Sequence, residues 1–262
     1  MSESVAFDRA AGYYDQTRGF PPGVERDVAA MIARVGGLTR ESRVLEIGIG
    51  TGRIALPLAP YVSAYYGVDL ARPMLDRMQQ KSADEPIYPI IGDITRLPFA
   101  SQSFDAVVAV HIFHLVPDYK IALRETARVL KPGGMLLHGL NRDKAVIRVQ
   151  QVWNEATAAL GAPDRSAPGT MTRTERHTFL SDNGWVGQGE HTHDYTFQLA
   201  PGTYFDGLRS RVFSSMWQMP DDVHSAGVAA VEDYFAKEGI DPAKPQTIEG
   251  GFVVQAYHPL AK

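Results

Sequence analysis

Cysteine is absent from the 262-residue sequence, which excludes a disulfide scaffold, a thiolate nucleophile, a cysteine-based zinc site and an iron–sulfur cluster. A basic, apolar leader is absent from the amino end, so no secretion signal is predicted. The longest nearly apolar stretch, 106–116, is about half as long as a bilayer requires. Together these absences predict a cytoplasmic protein with no membrane span.

A strong charge of either sign is also lacking, because 26 Lys and Arg residues stand against 30 Asp and Glu residues. No basic run follows the pattern of a phosphate-backbone contact, so nucleic acid is not an expected partner. The hydrophobic content of 44% is that of an ordinary globular chain, and this length allows a full core.

Strands and helices alternate through residues 1–140. Apolar runs typical of strands occur at 43–47, 64–69, 87–93, 105–110 and 135–140. Segments with helical spacing separate them, and Pro89 favours an edge position for the third strand. The alternation predicts an α/β fold with a doubly wound parallel sheet, whose ligands bind at the carboxyl ends of the strands.

The pattern changes after Asn141. Helices are predicted at 144–160 and 172–182, and strands at 190–199 and 247–257 could close the sheet as a hairpin. Between these strands, an insertion has the pattern of two amphipathic helices. Its candidates for substrate contact are Phe205, Arg209, Arg211, Phe213, Met216 and Trp217. The same side chains are equally typical of a core, so the helices at 201–240 are predicted to form either a lid or a dimer surface.

A glycine-rich turn, Gly48-Ile49-Gly50-Thr51-Gly52, directly follows the first strand. Glycines let the backbone approach a ligand with no side chain in the way. The dinucleotide-binding pattern has a third glycine where this chain has Arg53. Glu46, two residues before the turn, suits a ligand with an ammonium group better than a phosphate.

Two further acids end the next two strands. Asp69 follows Glu46 by 23 residues, where a carboxylate can accept hydrogen bonds from both hydroxyls of a ribose. Asp93 ends the third strand, where a carboxylate can accept from the amine of an adenine. Aspartate is also a preferred helix-capping residue, so capping is the alternative role for each.

In this order and spacing, the motifs resemble a class I S-adenosylmethionine-dependent methyltransferase of the small-molecule group, similar to methyltransferase type 11. The resemblance covers residues 40–140 and rests on 46–53, Gly67-Val68-Asp69 with Met74, Gly92-Asp93-Ile94, Leu97-Pro98-Phe99, Ser103-Phe104-Asp105 and Arg128-Val129-Leu130-Lys131-Pro132-Gly133-Gly134. It implies a Rossmann-like sheet of seven strands in the order 3-2-1-4-5-7-6, mostly parallel with an antiparallel last strand, and a helical cap insertion. Residues 7–18 resemble the amino-terminal segment that folds over the cofactor in this group.

The resemblance implies S-adenosylmethionine as the cofactor. The implied binding residues are Tyr14, Arg18, Glu46, Gly48, Gly50, Asp69, Leu70, Met74, Asp93, Ile94, Val110 and His111. The two glycines would pass against the methionine part, beside an amino group anchored by the glutamate. Asp69 would hold the ribose, Asp93 and Ile94 the adenine, and Met74 would pack on its other face. Tyr14 and Arg18 would meet the cofactor's carboxylate, since a guanidinium matches its geometry.

Methyl transfer requires mainly alignment and exclusion of water, and a base only when the acceptor must lose a proton. His111, directly after the fourth strand, is the candidate general base, although it could simply line the cofactor pocket together with Val110. His138 is predicted to be a core histidine. His191 and His193 share a strand face without an evident third ligand, so no metal site is predicted.

The predicted function is therefore methyl transfer to a small-molecule acceptor. An NAD(P)-dependent oxidoreductase and a protein that binds S-adenosylmethionine without catalysis stay open as alternatives. Methylation of a DNA base amine is disfavoured, because Val110-His111-Ile112-Phe113 stands where those enzymes have Asp/Asn-Pro-Pro-aromatic.

The predicted organisation is one compact domain made of three segments. Residues 1–38 are a cofactor-covering segment and helix, 39–142 the cofactor-binding core, and 143–262 the closing hairpin with its cap. The protein is expected to be a monomer or a homodimer.

Overall fold

The computed structural model describes residues 7–143, 148–161 and 173–260 of the chain. Its strands are β1 (Arg43–Ile47), β2 (Ala64–Asp69), β3 (Ile87–Ile91), β4 (Phe104–Val110), β5 (Leu130–Asp143), β6 (Trp185–Leu199) and β7 (Gln246–Pro259). Its helices are α1 (Tyr14–Arg18), α2 (Val24–Val35), α3 (Ala55–Leu58), α4 (Arg72–Lys81), α5 (Tyr119–Val129), α6 (Arg148–Ala158), α7 (Arg173–Asp182), α8 (Pro201–Arg209) and α9 (Asp221–Glu238). Of these described helices, none combines the length and the apolar character needed to cross a membrane.

The seven strands form one sheet in the order β3-β2-β1-β4-β5-β7-β6. Strands β1 to β5 pair in parallel with their neighbours, and the last strands run antiparallel. This confirms the predicted α/β class, the strand order and the Rossmann-like architecture. Pro89 lies on β3 at the edge of the sheet, as predicted, because a proline has no N–H to donate to a second neighbour.

Burial explains why the central strands form where the sequence predicts them. From Ala106 to Ala109 every β4 residue is fully buried, as expected for a strand covered on both faces. Leu123 and Val129 of α5 pack in the same core as Leu45 of β1. Fully burying a side chain of this size stabilises the fold by about 1.5–3 kcal/mol.

β5 begins five residues earlier than the predicted strand at 135–140. The sequence Lys131-Pro132-Gly133-Gly134 was expected to separate helix from strand, but Leu130 already pairs with Phe104 of β4. A register irregularity between Phe104 and Ala106 and the left-handed backbone of Gly133, with φ of +80°, accommodate the turn within the ladder. The predicted start of this strand is therefore wrong. Of the predicted 144–160 helix, 144–147 lie outside the described residues.

The described residues form two compact units. Residues 7–141, 173–193 and 252–260 belong to the first, and 142–143, 148–161 and 194–251 belong to the second. The second unit has a hydrophobic core of its own, which includes Trp153 of α6, Phe205 of α8 and Val231 of α9. One division between the two units falls after Asn141, whereas the sequence placed a segment limit after residue 142. The predicted segments themselves stay predictions.

Inside the second unit, the predicted insertion residues have structural partners. Phe205 and Met216 are buried in the core of that unit, which agrees with the alternative that the stripe is a core. Arg209 Nη2 lies 3.0 Å from Glu232 Oε1, and Arg211 Nη2 lies 2.5 Å from Asp221 Oδ1. The positive charges that would favour an anionic substrate are thus paired within this unit, and the lid stays a prediction.

Candidate cofactor and active site

The turn after β1 has a backbone that requires glycine. Gly48 and Gly50 have φ of +74° and +55°, in the left-handed region that other residues rarely adopt. A Cβ on Gly48 would lie 2.6 Å from Cδ1 of Ile112, so a side chain there would displace the segment that follows β4. The N–H groups of Gly48 and Ile49 both donate to the carbonyl of Val68 on β2. These two hydrogen bonds fix the start of the turn at the carboxyl edge of the sheet.

Asp69 connects this turn to the next strand. Its Oδ2 accepts the Gly50 N–H at 2.8 Å, and its Oδ1 accepts the Ala71 N–H at 2.9 Å, where α4 begins. Burial raises the pKa of this carboxyl, and the backbone N–H donors oppose that rise. A carboxylate can accept about four hydrogen bonds, so Asp69 can organise the turn and still accept from a ligand. Its neighbour Leu70 is 43% exposed.

Glu46 lies beneath the turn with only 2% of its surface exposed. Its Oε2 accepts a hydrogen bond from the Tyr65 hydroxyl on β2, at 2.8 Å. Burial raises the pKa of Glu46 to about 8, although the Tyr65 hydrogen bond and the charge of Arg53 lower it. The carboxyl is therefore mostly protonated at pH 7, and a ligand's ammonium group beside it would favour the ionised form.

Met74 and the third predicted acid complete this edge. Met74 of α4 is buried, with its Cε 3.4 Å from where a Cβ of Gly50 would stand. Asp93 follows β3 and is exposed, whereas the adjacent Ile94 is buried. The Gly92 N–H donates to the Asp69 carbonyl at 3.1 Å, which joins the start of this loop to β2. The structure thus brings both acids to neighbouring strand ends.

His111 follows Val110 at the end of β4 and has a left-handed backbone, with φ of +50°. Its Nε2 accepts the N–H of Asn141 from β5 at 3.1 Å. Burial lowers the pKa of His111 to about 3, and the nearby charges of Arg53 and Arg18 lower it further. The ring is neutral at physiological pH, and one of its nitrogens is already engaged.

The amino-terminal segment is bound to the same turn. Asp15 Oδ1 accepts from the Thr51 hydroxyl at 2.5 Å, and its Oδ2 accepts from Lys81 Nζ of α4 at 2.8 Å. Arg53 Nη1 donates to the Arg18 carbonyl at 2.6 Å. α1 carries the predicted Tyr14 and Arg18, and both side chains are partly exposed.

Among the residues that the sequence did not predict for the site are Asp15, Thr51 and Arg53. Asp15 lies one residue after Tyr14, inside the segment that resembles the family, and that position was the available signal. Arg53 was considered only as a departure from the dinucleotide pattern. Its guanidinium also lies 4.3 Å from the ring centroid of Phe20, at cation–π distance. His138, by contrast, is confirmed as a core histidine, because it is buried beside Phe113.

Comparison with known proteins finds a match to part of the chain. Residues 45–138 match the family described as "Methyltransferase domain". The uncharacterized methyltransferase YcgJ of Bacillus subtilis is 34% identical over 140 residues, which are 52% of this chain and 54% of that protein. The phosphatidylethanolamine N-methyltransferase of Cereibacter sphaeroides is 35% identical over 111 residues, 40% of this chain and 54% of that one. The chain therefore spans about half the length of the curated relatives it matches.

Solved structures agree on the fold. The crystal structure of Bacillus subtilis YcgJ superposes with a TM-score of 0.60 at 23% identity, covering 90% of this chain and 99% of that chain. The [4+2]-cyclase SpnF superposes with a TM-score of 0.56 at 18% identity, covering 90% and 81%. At these identities the likeness supports the architecture alone, and the chemistry must come from the site.

Proposed function

We propose that this protein, whose residues 45–138 match a methyltransferase domain, is a class I enzyme that transfers a methyl group from S-adenosylmethionine to a small-molecule acceptor. The observation that carries the proposal is the hydrogen bond from Gly50 N–H to Asp69 Oδ2. It joins a glycine-rich turn to an acid at the next strand end, the arrangement expected for a ribose and its attached chain.

The donors and surfaces of this edge fit the proposed cofactor part by part. Gly48 and Gly50 leave the backbone open to the methionine part, and Asp69 keeps lone pairs for the ribose hydroxyls. The exposed carboxylate of Asp93 and the buried Ile94 suit the amine and the face of an adenine. When bound, S-adenosylmethionine supplies a methyl carbon that its sulfonium has already activated.

The chain's own contribution is then alignment and exclusion of water. We propose that α1 covers the turn through Asp15 and that His111 orients the acceptor at the β4 edge. A histidine that accepts at Nε2 carries its proton on Nδ1, and with a pKa of about 3 it is a weak base. These features favour an orienting hydrogen bond over the general-base role predicted from the sequence.

The two alternative functions, an oxidoreductase and a non-catalytic binding protein, predict different observations. A nicotinamide-dependent oxidoreductase would have the third glycine of its pyrophosphate turn at position 53, whereas Arg53 holds the Arg18 carbonyl. Stereospecific hydride exchange with NAD or NADP would favour that alternative. Binding of S-adenosylmethionine without turnover across a broad panel of acceptors would favour a non-catalytic binding protein.

Partners and location belong to the same proposal. We propose a monomer or homodimer in the cytoplasm that acts on a small molecule and binds no nucleic acid. The near-balanced charge and the lack of cysteine support it. Two relatives are named for phosphatidylethanolamine and demethylmenaquinone, and both names favour a small-molecule acceptor over a macromolecule.

The test compares two carboxylates by calorimetric titration with S-adenosylhomocysteine. Asp69→Asn should weaken binding by about 1–3 kcal/mol, because ribose hydroxyls lose an acceptor oxygen of the side chain. Asp105→Asn is the matched control, since Asp105 likewise accepts a backbone N–H, from Arg43 at 2.8 Å, but at the start of β4. Equal affinity in the wild type and Asp69→Asn would contradict the proposed site. Formation of S-adenosylhomocysteine in the presence of an acceptor then tests turnover.

A further inference from the structure

Two side chains of α5 hold the loop that follows β3. Arg128 donates from Nη1 to the Phe99 carbonyl at 2.7 Å and from Nη2 to the Leu97 carbonyl at 3.1 Å. The same guanidinium donates to both carboxylate oxygens of Glu125, at 2.7 and 2.8 Å. Glu125 Oε2 also accepts the Leu97 N–H at 2.8 Å. The pair therefore binds both polar backbone atoms of Leu97 and the carbonyl of Phe99.

These contacts differ from those of an ordinary ion pair on a helix. A pair of opposite charges spaced i, i+3 usually gives a small stabilisation at the surface. Here three hydrogen bonds reach backbone atoms that precede the pair by 28 to 31 residues. A planar guanidinium can satisfy a carboxylate and two carbonyls together, whereas a lysine ammonium lacks that fixed fork.

The bound loop begins with the residues assigned to adenine. The Thr95 N–H donates to Asp93 Oδ1 at 2.8 Å, and the Arg96 N–H donates to the Asp93 carbonyl at 3.0 Å. This turn leads directly into Leu97, which is buried. The direction of the Asp93 side chain is therefore fixed on one side by β3 and on the other by the backbone of Leu97.

We infer that Glu125 and Arg128 are positioning residues for the adenine end of the cofactor site. The inference rests on the proposed function. Neither side chain has to touch the nucleoside, because the pair acts through Leu97 and Phe99 on Asp93 and its neighbour. The hydrogen bonds from Arg128 lower the pKa of Glu125, and Glu125 raises that of Arg128, so the pair stays ionised across the physiological range.

The test uses base selectivity, which a purely structural role would not change. Calorimetry measures the dissociation constants of S-adenosylhomocysteine and of S-inosylhomocysteine, in which a 6-oxo group replaces the 6-amino group. We expect Arg128→Lys to weaken binding of the adenosyl ligand by about tenfold, the equivalent of one charge-assisted hydrogen bond. Binding of the inosyl ligand should change less, so the preference for adenine falls. Arg128→Lys is used because it retains the positive charge. It therefore still gives the test if the more disruptive variant Arg128→Gln fails to fold.

Lys131→Gln is the matched control. Lys131 lies just after α5 and pairs with both oxygens of Asp105, at 2.8 and 2.9 Å. Asp105 belongs to β4 and not to the loop after β3. The Lys131→Gln variant should therefore keep the wild-type preference for adenine. Thermal unfolding without ligand verifies that each variant is folded.

The outcomes separate the two proposals. A wild-type protein that binds neither ligand defeats the proposed function and this inference with it. If the wild type binds S-adenosylhomocysteine but shows no preference for adenine, or if Arg128→Lys keeps the wild-type preference, only the positioning role is overturned.

Discussion

At the scale of single residues, the site combines acids whose environments differ. Glu46 of β1 is buried against Tyr65, whereas Asp93, just after β3, is exposed to solvent. The strand ends alone predicted where these acids lie, because a parallel sheet brings the carboxyl ends of its strands together. The protonation state of Glu46 could not be predicted in this way, since it depends on how many atoms cover the carboxyl.

The buried carboxyl gives a pH prediction for the ligand-free protein. The folded-state pKa of Glu46 is about 8 against an ordinary value of 4.5, so the folded state binds its proton more tightly than the unfolded state. This contribution is complete below pH 4.5 and is lost as the pH rises toward 8, by at most about 1.4 kcal/mol per pH unit. Glu46→Gln, which stays neutral, should therefore gain stability relative to the wild type over that window.

Denaturant unfolding at several pH values measures this difference. Glu238→Gln, at the exposed end of α9, is the control and should follow the wild type at every pH. A constant difference between Glu46→Gln and the wild type from pH 5 to pH 8 would show that Glu46 is ionised throughout.

The contribution of His111 to stability has the opposite pH dependence. Its folded-state pKa of about 3 lies below the ordinary value of 6.5, so its contribution to stability is present above pH 6.5 and is lost as the pH falls toward 3. We expect the His111 ring resonances in an NMR titration to stay at their neutral positions from pH 5 to pH 8. His111→Gln assigns the signal, and a midpoint near 6.5 would restore the general-base role.

At the scale of elements, hydrophobic periodicity located the strands well. The predicted limits of β1 and β2 are those of the structure, because each is a mostly apolar run that ends where the next turn begins. The predicted start of β5 was wrong because Gly133 and Gly134, usual signs of a turn, here allow an irregular pairing with β4. Local composition does not reveal whether a partner strand lies within reach.

Hydrophobic periodicity could not predict the contacts that hold α1 either, because these contacts join residues far apart in the sequence. Asp15 reaches Thr51 and Lys81, which lie 36 and 66 residues away. The resemblance implied that this segment covers the cofactor, but the side chains that hold it became visible only through their distances.

This anchoring predicts a change in protease sensitivity. Asp15→Asn should make cleavage by trypsin after Arg18 faster, by about two- to fivefold, because a partly exposed ionic contact contributes up to about 1 kcal/mol. S-adenosylhomocysteine should slow that cleavage in the wild type. Asp76→Asn, on the exposed side of α4, serves as control. Equal cleavage rates in Asp15→Asn and the wild type would mean that this carboxylate does not hold α1.

At the scale of the whole molecule, the sequence predicted one compact domain, and contacts divide the described residues into two units. The insertion was ambiguous because an apolar stripe at helical spacing suits a lid, a dimer surface or a core. The second unit settles this for Phe205 and Met216, whose burial follows from contacts among α6, α8 and α9. Such contacts between distant helices are not encoded in the spacing of any one of them.

The assignment of the first unit to an adenosyl cofactor is the central claim, and thermal unfolding tests it most directly. The purified protein is melted alone and with S-adenosylmethionine, S-adenosylhomocysteine, NAD or NADP at equal concentrations. A ligand at about 100 times its dissociation constant adds about 2.7 kcal/mol, roughly 5–10 °C for a chain of this size. A shift of that size with the two adenosyl ligands alone is the predicted result, and a shift with a nicotinamide dinucleotide alone would contradict it.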